Sequence, residues 1–169
     1  FAIAQPPTTP TRATAVPSTS TEGGLVHGGD TGGADVLTAG GRLVIDAVTG
    51  VGTGAALETT VASIDIDNAT SGNIEISDTN AITVVKAVQS TAGNIGLAAG
   101  GTITVDNAGA GNAITVLGTG TVTLDANGAA SDLLVNDGLL SVNGAITLTA
   151  DNDVIFEADG DITLSLIHI

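Results

Sequence analysis

One short unit recurs along most of this chain: a turn residue or two, then an apolar, a polar and an apolar residue. Gly101-Thr102-Ile103-Thr104-Val105, Gly120-Thr121-Val122-Thr123-Leu124, Gly144-Ala145-Ile146-Thr147-Leu148 and Gly160-Asp161-Ile162-Thr163-Leu164 are four versions of it. Asn80-Ala81-Ile82-Thr83-Val84 returns letter for letter as Asn112-Ala113-Ile114-Thr115-Val116, and Gly72-Asn73-Ile74 returns as Gly93-Asn94-Ile95. Leu43/Ile45, Ile64/Ile66, Leu133/Val135 and Val154/Phe156 are further members. Such repetition constrains the fold more than any single motif. A unit this short cannot bury its apolar face alone and must stack on copies of itself.

Alternation at period two means half-buried strands with the apolar members inward. The strand starts Ile74, Ile82, Ile95, Ile103, Ile114 and Val122 alternate between short and longer gaps. Taking every second one gives a repeat of about 20 residues, a solenoid period with at least two strands per coil. The expected fold is therefore all-β, a single-stranded parallel β-helix (β-solenoid) of about six coils between Leu43 and Leu164, stacked at about 4.8 Å per coil. On this spacing Ile74, Ile95 and Ile114 form one ladder, and Ile82, Ile103 and Val122 another. After Val122 the starts near Leu133, Leu140, Ile146, Val154 and Ile162 follow at short gaps without the longer alternation. Two readings of that stretch stay open: the coil changes shape, or the pairing shifts by one strand.

Composition agrees with a narrow, regular interior. Hydrophobic residues make up 43% of the chain but aromatics only 1%, with no Trp, Tyr, Met or Cys, so Val, Ile, Leu and Ala must fill the core. Twenty-four glycines, with frequent Asn, Asp and Thr, supply turns at short intervals. The formal net charge is −15, and Arg12, Arg42 and Lys86 are the only basic residues apart from two histidines. Nucleic acid and anionic membrane surfaces, which need clustered Lys or Arg, are excluded as partners. No apolar run reaches membrane-spanning length, and the absence of Cys removes disulfides and thiolate metal sites together.

The chain divides into three parts. Residues 1–22, with Pro6, Pro7, Pro10 and Pro17, read as a Pro/Thr/Ser-rich linker. Within it Ala2-Ile3-Ala4 before Gln5 has the form of a signal-peptide cleavage site, without the charged and apolar stretches that precede one. Residues 23–164 are the solenoid repeats. Residues 165–169, Ser-Leu-Ile-His-Ile, leave the pattern and have the look of translated adaptor sequence, so His168 carries no argument.

The segments Gly93-Asn94-Ile95-Gly96-Leu97-Ala98-Ala99-Gly100-Gly101-Thr102-Ile103-Thr104-Val105 and Ala145-Ile146-Thr147-Leu148-Thr149-Ala150-Asp151-Asn152-Asp153-Val154 resemble the repeats of filamentous haemagglutinin-type adhesins. Residues 50–64, from Gly50-Val51-Gly52 to Ala62-Ser63-Ile64, are similar to an insert that recurs between coils of such giant surface proteins. The resemblance covers Leu43 to Leu164. It implies a right-handed β-helical shaft, secreted across the outer membrane of a bacterium and presented on the cell surface. Its partners would be neighbouring repeats of the same longer chain, and its task adhesion-related spacing rather than catalysis. The secretion domain such proteins carry near their N-terminus is not recognisable in these residues, and no receptor is readable.

Several motifs admit rival readings. Gly50-x-Gly52-x-x-Ala55 follows the apolar Leu43–Ile45, precedes a stretch of helical appearance over Ala55–Ser63, and is followed by Asp65 and Asp67, which imitates a dinucleotide-binding unit. Such a helix is too short for a βαβ crossover, and a glycine-rich loop on the solenoid is expected instead. Gly28-Gly29-Asp30-Thr31-Gly32-Gly33-Ala34-Asp35-Val36-Leu37 approximates one calcium-binding nonapeptide but has no tandem neighbour to complete the coordination. Asp151-Asn152-Asp153 and Asp159-Gly160-Asp161 are weaker versions, expected to be turns.

A β-helix carbohydrate enzyme would need positioned carboxylates and, for lyase chemistry, a basic residue. Arg42 and Lys86 stand far apart, and His27 lies in a glycine loop with no Ser or Cys partner. Thr102/Thr104, Thr121/Thr123 and Thr147/Thr149 are expected as ordinary outward Thr rather than an ice-binding array, and Asn68-Ala69-Thr70 matches a glycosylation sequon. The sequence thus predicts no catalytic residue, no metal ligand and no cofactor. A calcium-loaded repeat module and a carbohydrate-active enzyme are the alternatives.

Overall fold

A computed structural model describes Ser18, Thr19, residues 33–109 and residues 111–165. The linker beyond Ser18–Thr19, His27, Arg12, residues 28–32 of the nonapeptide-like stretch and His168 lie outside the described residues. The strands in chain order are β1 (Ser18–Thr19), β2 (Val36–Ala47), β3 (Leu57–Asn68), β4 (Ile74–Asp78), β5 (Ile82–Gln89), β6 (Ile95–Ala99), β7 (Ile103–Val105), β8 (Asn112–Val116), β9 (Val122–Ala126), β10 (Leu133–Val135), β11 (Gly138–Ser141), β12 (Ile146–Ala150), β13 (Val154–Phe156) and β14 (Ile162–Leu164). The described chain is all-β with no helix, and every strand pairing is parallel. It coils as a β-solenoid of about six turns, each of roughly 22 residues.

Three ladders run the length of the stack. In the first, Ile74, Ile95, Val122 and Ile146 succeed one another through β4, β6, β9 and β12. In the second, Ile82, Ile103, Leu133 and Val154 do so through β5, β7, β10 and β13. The third carries Ile45, Ile66, Ala87, Ile114, Leu139 and Ile162.

The expected register is corrected here. Ile114 does not join Ile74 and Ile95, whose ladder continues with Val122, and Val122 does not join Ile82 and Ile103, whose ladder continues with Leu133. In the early coils the second and third strands run together within β3 and β5, with only a register shift between Ile64 and Asp65, so two strands per coil are visible in the sequence. From Asp106 the two separate, because six residues of chain intervene between β7 and β8. The coil lengthens accordingly, from 21 residues between Ile74 and Ile95 to 27 between Ile95 and Val122. The loose spacing after Val122 thus has both origins: each coil now carries three separate strands, and the pairing is shifted by one strand.

Alternating side chains fill the interior. β4, β6, β7, β9 and β10 bury every second residue, and Ile64, Ile66, Ile74, Ile103, Ile114 and Leu124 are among the fully buried side chains. Each such aliphatic contributes about 1.5–3 kcal/mol relative to exposure. The void between Ile64, Ile74, Val84, Leu97, Ile114 and Leu124 is only about 10 Å³ and wholly apolar, so it stays dry.

Backbone proximity, rather than side-chain chemistry, sets the corner before the first ladder. A Cβ on Gly93 would lie 2.0 Å from the Gly72 carbonyl oxygen, one on Gly120 1.7 Å from that of Gly93, and one on Gly144 1.7 Å from that of Gly120. These glycines form a column in which each coil rests directly on the backbone below, a close approach that only a residue lacking Cβ permits.

Polar side chains seal this corner and the others. Asp78 is buried, its Oδ2 accepting from Thr59 Oγ1 at 2.7 Å and from the Val61 N–H at 2.9 Å, its Oδ1 from the Asn80 N–H at 2.8 Å. Asn68 Oδ1 accepts the Gly50 N–H at 2.9 Å, and Ser141 Oγ both donates to the Gly144 carbonyl and accepts the Gly144 N–H. At the turn between β7 and β8, Ala108 adopts φ of 63°, and the N–H groups of Asn107 and Gly109 converge on Asp137 Oδ2 at 2.7 and 3.3 Å. Each of these devices supplies partners to backbone groups that a turn would otherwise leave unsatisfied.

The last coil has the same inward pattern but nothing over it among the described residues. Leu133 and Val135 are 0% exposed, whereas their register partners Val154 and Phe156 are 39% and 48% exposed.

Candidate functional site: a groove across the first ladder

Outward positions of the first ladder are Glu75 and Ser77 on β4, Gly96 and Ala98 on β6, Thr123 and Asp125 on β9, and Thr147 and Thr149 on β12. The middle of this face is low because Gly96 and Ala98 have almost no side chain, while Glu75 stands on one side and Thr123 and Asp125 on the other. The result is an open groove of about 340 Å³ crossing the shaft along β6. Its walls are two coils apart, about 10 Å at the usual strand separation. Its floor makes no demand for hydrogen bonds, since β6 is paired on both edges, to β4 and β9.

The groove is acidic. Glu75 Oε1 accepts from Asn73 Nδ2 at 2.6 Å and Asp125 Oδ2 from Asn127 Nδ2 at 3.0 Å; neither carboxylate has a cation partner among the described residues. The two described cations are elsewhere: Lys86 Nζ pairs with Asp67 at 2.5 Å, and Arg42 pairs with Asp65. Asp65 and Asp67, the acids of the nucleotide-binding imitation, are thus held in surface ion pairs.

The other motifs occupy structural places. Residues 57–68 form β3, so the stretch over Ala55–Ser63 that had a helical look is a turn followed by strand. Gly52 has φ of 65° and a Cβ there would meet the Glu75 carbonyl oxygen at 2.3 Å, which accounts for the glycine without any phosphate. Asp35 Oδ2 accepts the Glu58 N–H at 3.1 Å. Asn152 Nδ2 and the Asp153 N–H both donate to Asp132 Oδ1, and the Asp161 carbonyl accepts from the Leu139 N–H.

Among the described residues no three of His, Cys, Asp and Glu are placed to hold a metal ion. Thr104 faces outward in the second ladder and Thr123, Thr147 and Thr149 in the first, so the Thr pairs are split between faces. Asn68, the sequon residue, is 0% exposed with its amide nitrogen committed inside, and a folded chain presents nothing to glycosylate there.

Asp106 sits at the β7–β8 turn beside Asp137. The Ala108 N–H, then the Asn136 amide and the Asp137 side chain, hold its carboxyl below the ordinary aspartate range against the opposing effect of partial burial.

Sequence reasoning singled out none of Glu75, Gly96 and Asp125 as functional. The available signal was Gly96 itself, an isolated glycine inside an alternating strand. No family model, no curated protein and no solved structure matches this chain.

Proposed function

We propose that this chain is a stiff spacer, a shaft segment of a secreted, adhesin-like bacterial surface protein that holds other parts of the molecule away from the cell. The observation that carries the reading is the unbroken run of three parallel ladders from β2 to β14, each coil hydrogen-bonded to the next. In such a stack, stability accumulates from neighbour contacts and the axis resists bending. The excess of acidic side chains fits a surface that keeps adjacent shafts apart. The work done is mechanical, with no bond made or broken.

Two measurements test this. Pulling single molecules along the coil axis should unravel the stack in steps of one coil, each releasing roughly 75 Å of chain; a collapse in one step at low force would count against a shaft. Protease treatment of intact producing cells should remove the segment from the cell surface, and full protection from the protease would remove the extracellular assignment.

A further inference from the structure

We propose that the groove over β6 is a binding site for an extended, lysine-rich peptide segment, whose ammonium groups bridge the carboxylates of Glu75 and Asp125. The inference does not depend on the shaft reading. Two independent observations carry it.

One is the glycine at the floor. Gly93, Gly120 and Gly144 are demanded by the fold, because a Cβ at any of them would strike backbone within 2.0 Å. Gly96 is not. It lies at an outward position of β6 with no positive φ, and a Cβ there would meet nothing closer than the Ile74 carbonyl oxygen at 4.0 Å. A glycine inside a strand costs about 0.5–1 kcal/mol relative to alanine, and where packing does not require it, it marks the close approach of a ligand or another backbone. Its consequence here is the depth of the groove, since Gly96 and Ala98 leave the floor about one side chain below Glu75, Thr123 and Asp125.

The other observation is charge. Glu75 and Asp125 flank the groove without a cation, while Arg42 and Lys86 are engaged with Asp65 and Asp67 on β3. A basic partner would supply the missing charge, its aliphatic lysine stems lying on Gly96, Ala98 and Ala56 and its ammonium groups reaching the walls. A neutral or acidic chain forms no ion pair with either carboxylate and finds the Thr123 hydroxyl as the one side-chain donor among the lining residues. The width, two strand spacings or about 10 Å, admits one extended chain lying along β6.

The test uses the full chain and a fluorescein-labelled tetralysine peptide, with anisotropy read at about 0.15 M salt so that diffuse attraction is screened. Glu75→Gln/Asp125→Asn should weaken binding about tenfold or more. Gly96→Val, which leaves the charge unchanged and fills the floor, should do the same. Asp46→Asn/Asp159→Asn, which removes as much charge from exposed positions on the third ladder and in the turn between β13 and β14, should bind like the parent. Thermal melts of all three confirm that the coil is intact, and Gly96→Ala serves as a milder filling variant should valine disturb it. Undiminished binding by the filled variants, or equal loss in the Asp46/Asp159 control, means nonspecific attraction to an acidic surface and overturns the proposal.

Discussion

Asn68 and Gln89 lie one above the other inside the shaft, both 0% exposed, with Asn68 Nδ2 donating to Gln89 Oε1 at 2.7 Å. Gln89 passes the chain of bonds on by donating to the Ala92 carbonyl at 2.8 Å, while Asn68 also serves the Gly50 N–H and the carbonyls of Ser71 and Gly72. Two coil corners are thereby closed from within by side chains of adjacent coils. Replacing Asn68 by Ala orphans several buried groups at once. The expected cost is about 2–4 kcal/mol, read as a lowered unfolding midpoint by circular dichroism. An unchanged midpoint would mean that these corners are held by the ladders alone.

Glycine substitutions should separate the two kinds of glycine. In Gly120→Ala the new methyl lies 1.7 Å from the Gly93 carbonyl oxygen, a backbone atom that cannot swing away, so the first ladder must part there. A loss of about 3 kcal/mol or more is expected. Gly96→Ala should instead hold or raise stability by about 0.5–1 kcal/mol. Thermal melts of the two variants side by side decide the point, and equal effects would contradict the close-packed corner column.

Asp78 is a buried carboxylate that accepts three hydrogen bonds, from Thr59, Val61 and Asn80. Asp78→Ala leaves two backbone N–H groups and one hydroxyl without that acceptor, at an expected cost of about 3 kcal/mol. Chemical denaturation of the variant against the parent measures it. A Thr59→Val/Asp78→Ala pair should lose less than the sum of the single changes, since the two side chains share one bond.

Acid sensitivity should be traceable to Asp106. Its pKa is lowered in the folded chain, by the Ala108 N–H first, so its contribution is fully present above the unfolded aspartate value near pH 4 and disappears as pH falls through the lower folded value. Asp106→Asn should therefore be less stable than the parent at neutral pH, with the difference shrinking below about pH 4. Urea midpoints of both proteins from neutral to strongly acidic pH give the comparison. A difference that grows on acidification would reverse the assigned direction.

How far the sequence speaks is clearest at Ile82 and Ile114. They sit in identical pentapeptides, yet Ile82 belongs to the second ladder and Ile114 to the third. Five residues specify a half-buried strand equally well on any face of the coil, so the repeat could not say which ladder it enters. The motif Gly-x-aliphatic is more informative in hindsight: Gly72, Gly93, Gly120 and Gly144 all precede the first ladder. Gly101 and Gly160, in similar local sequence, precede the second and third instead. The groove was less legible still, because Glu75 and Asp125 are 50 residues apart and become opposite walls only after two turns of stacking.

Alternation of aliphatic and polar residues, frequent turn residues and the near absence of aromatics by themselves determined that this chain forms short parallel strands around a thin aliphatic interior. These are local properties, set by side-chain period and volume. Which strands meet, three ladders rather than two, and which outward residues share a face were decided only in the tertiary structure. Coil length varies with the number of residues between β7 and β8 and between β9 and β10, and a ladder is defined by the coil that lies beneath it rather than by distance along the chain.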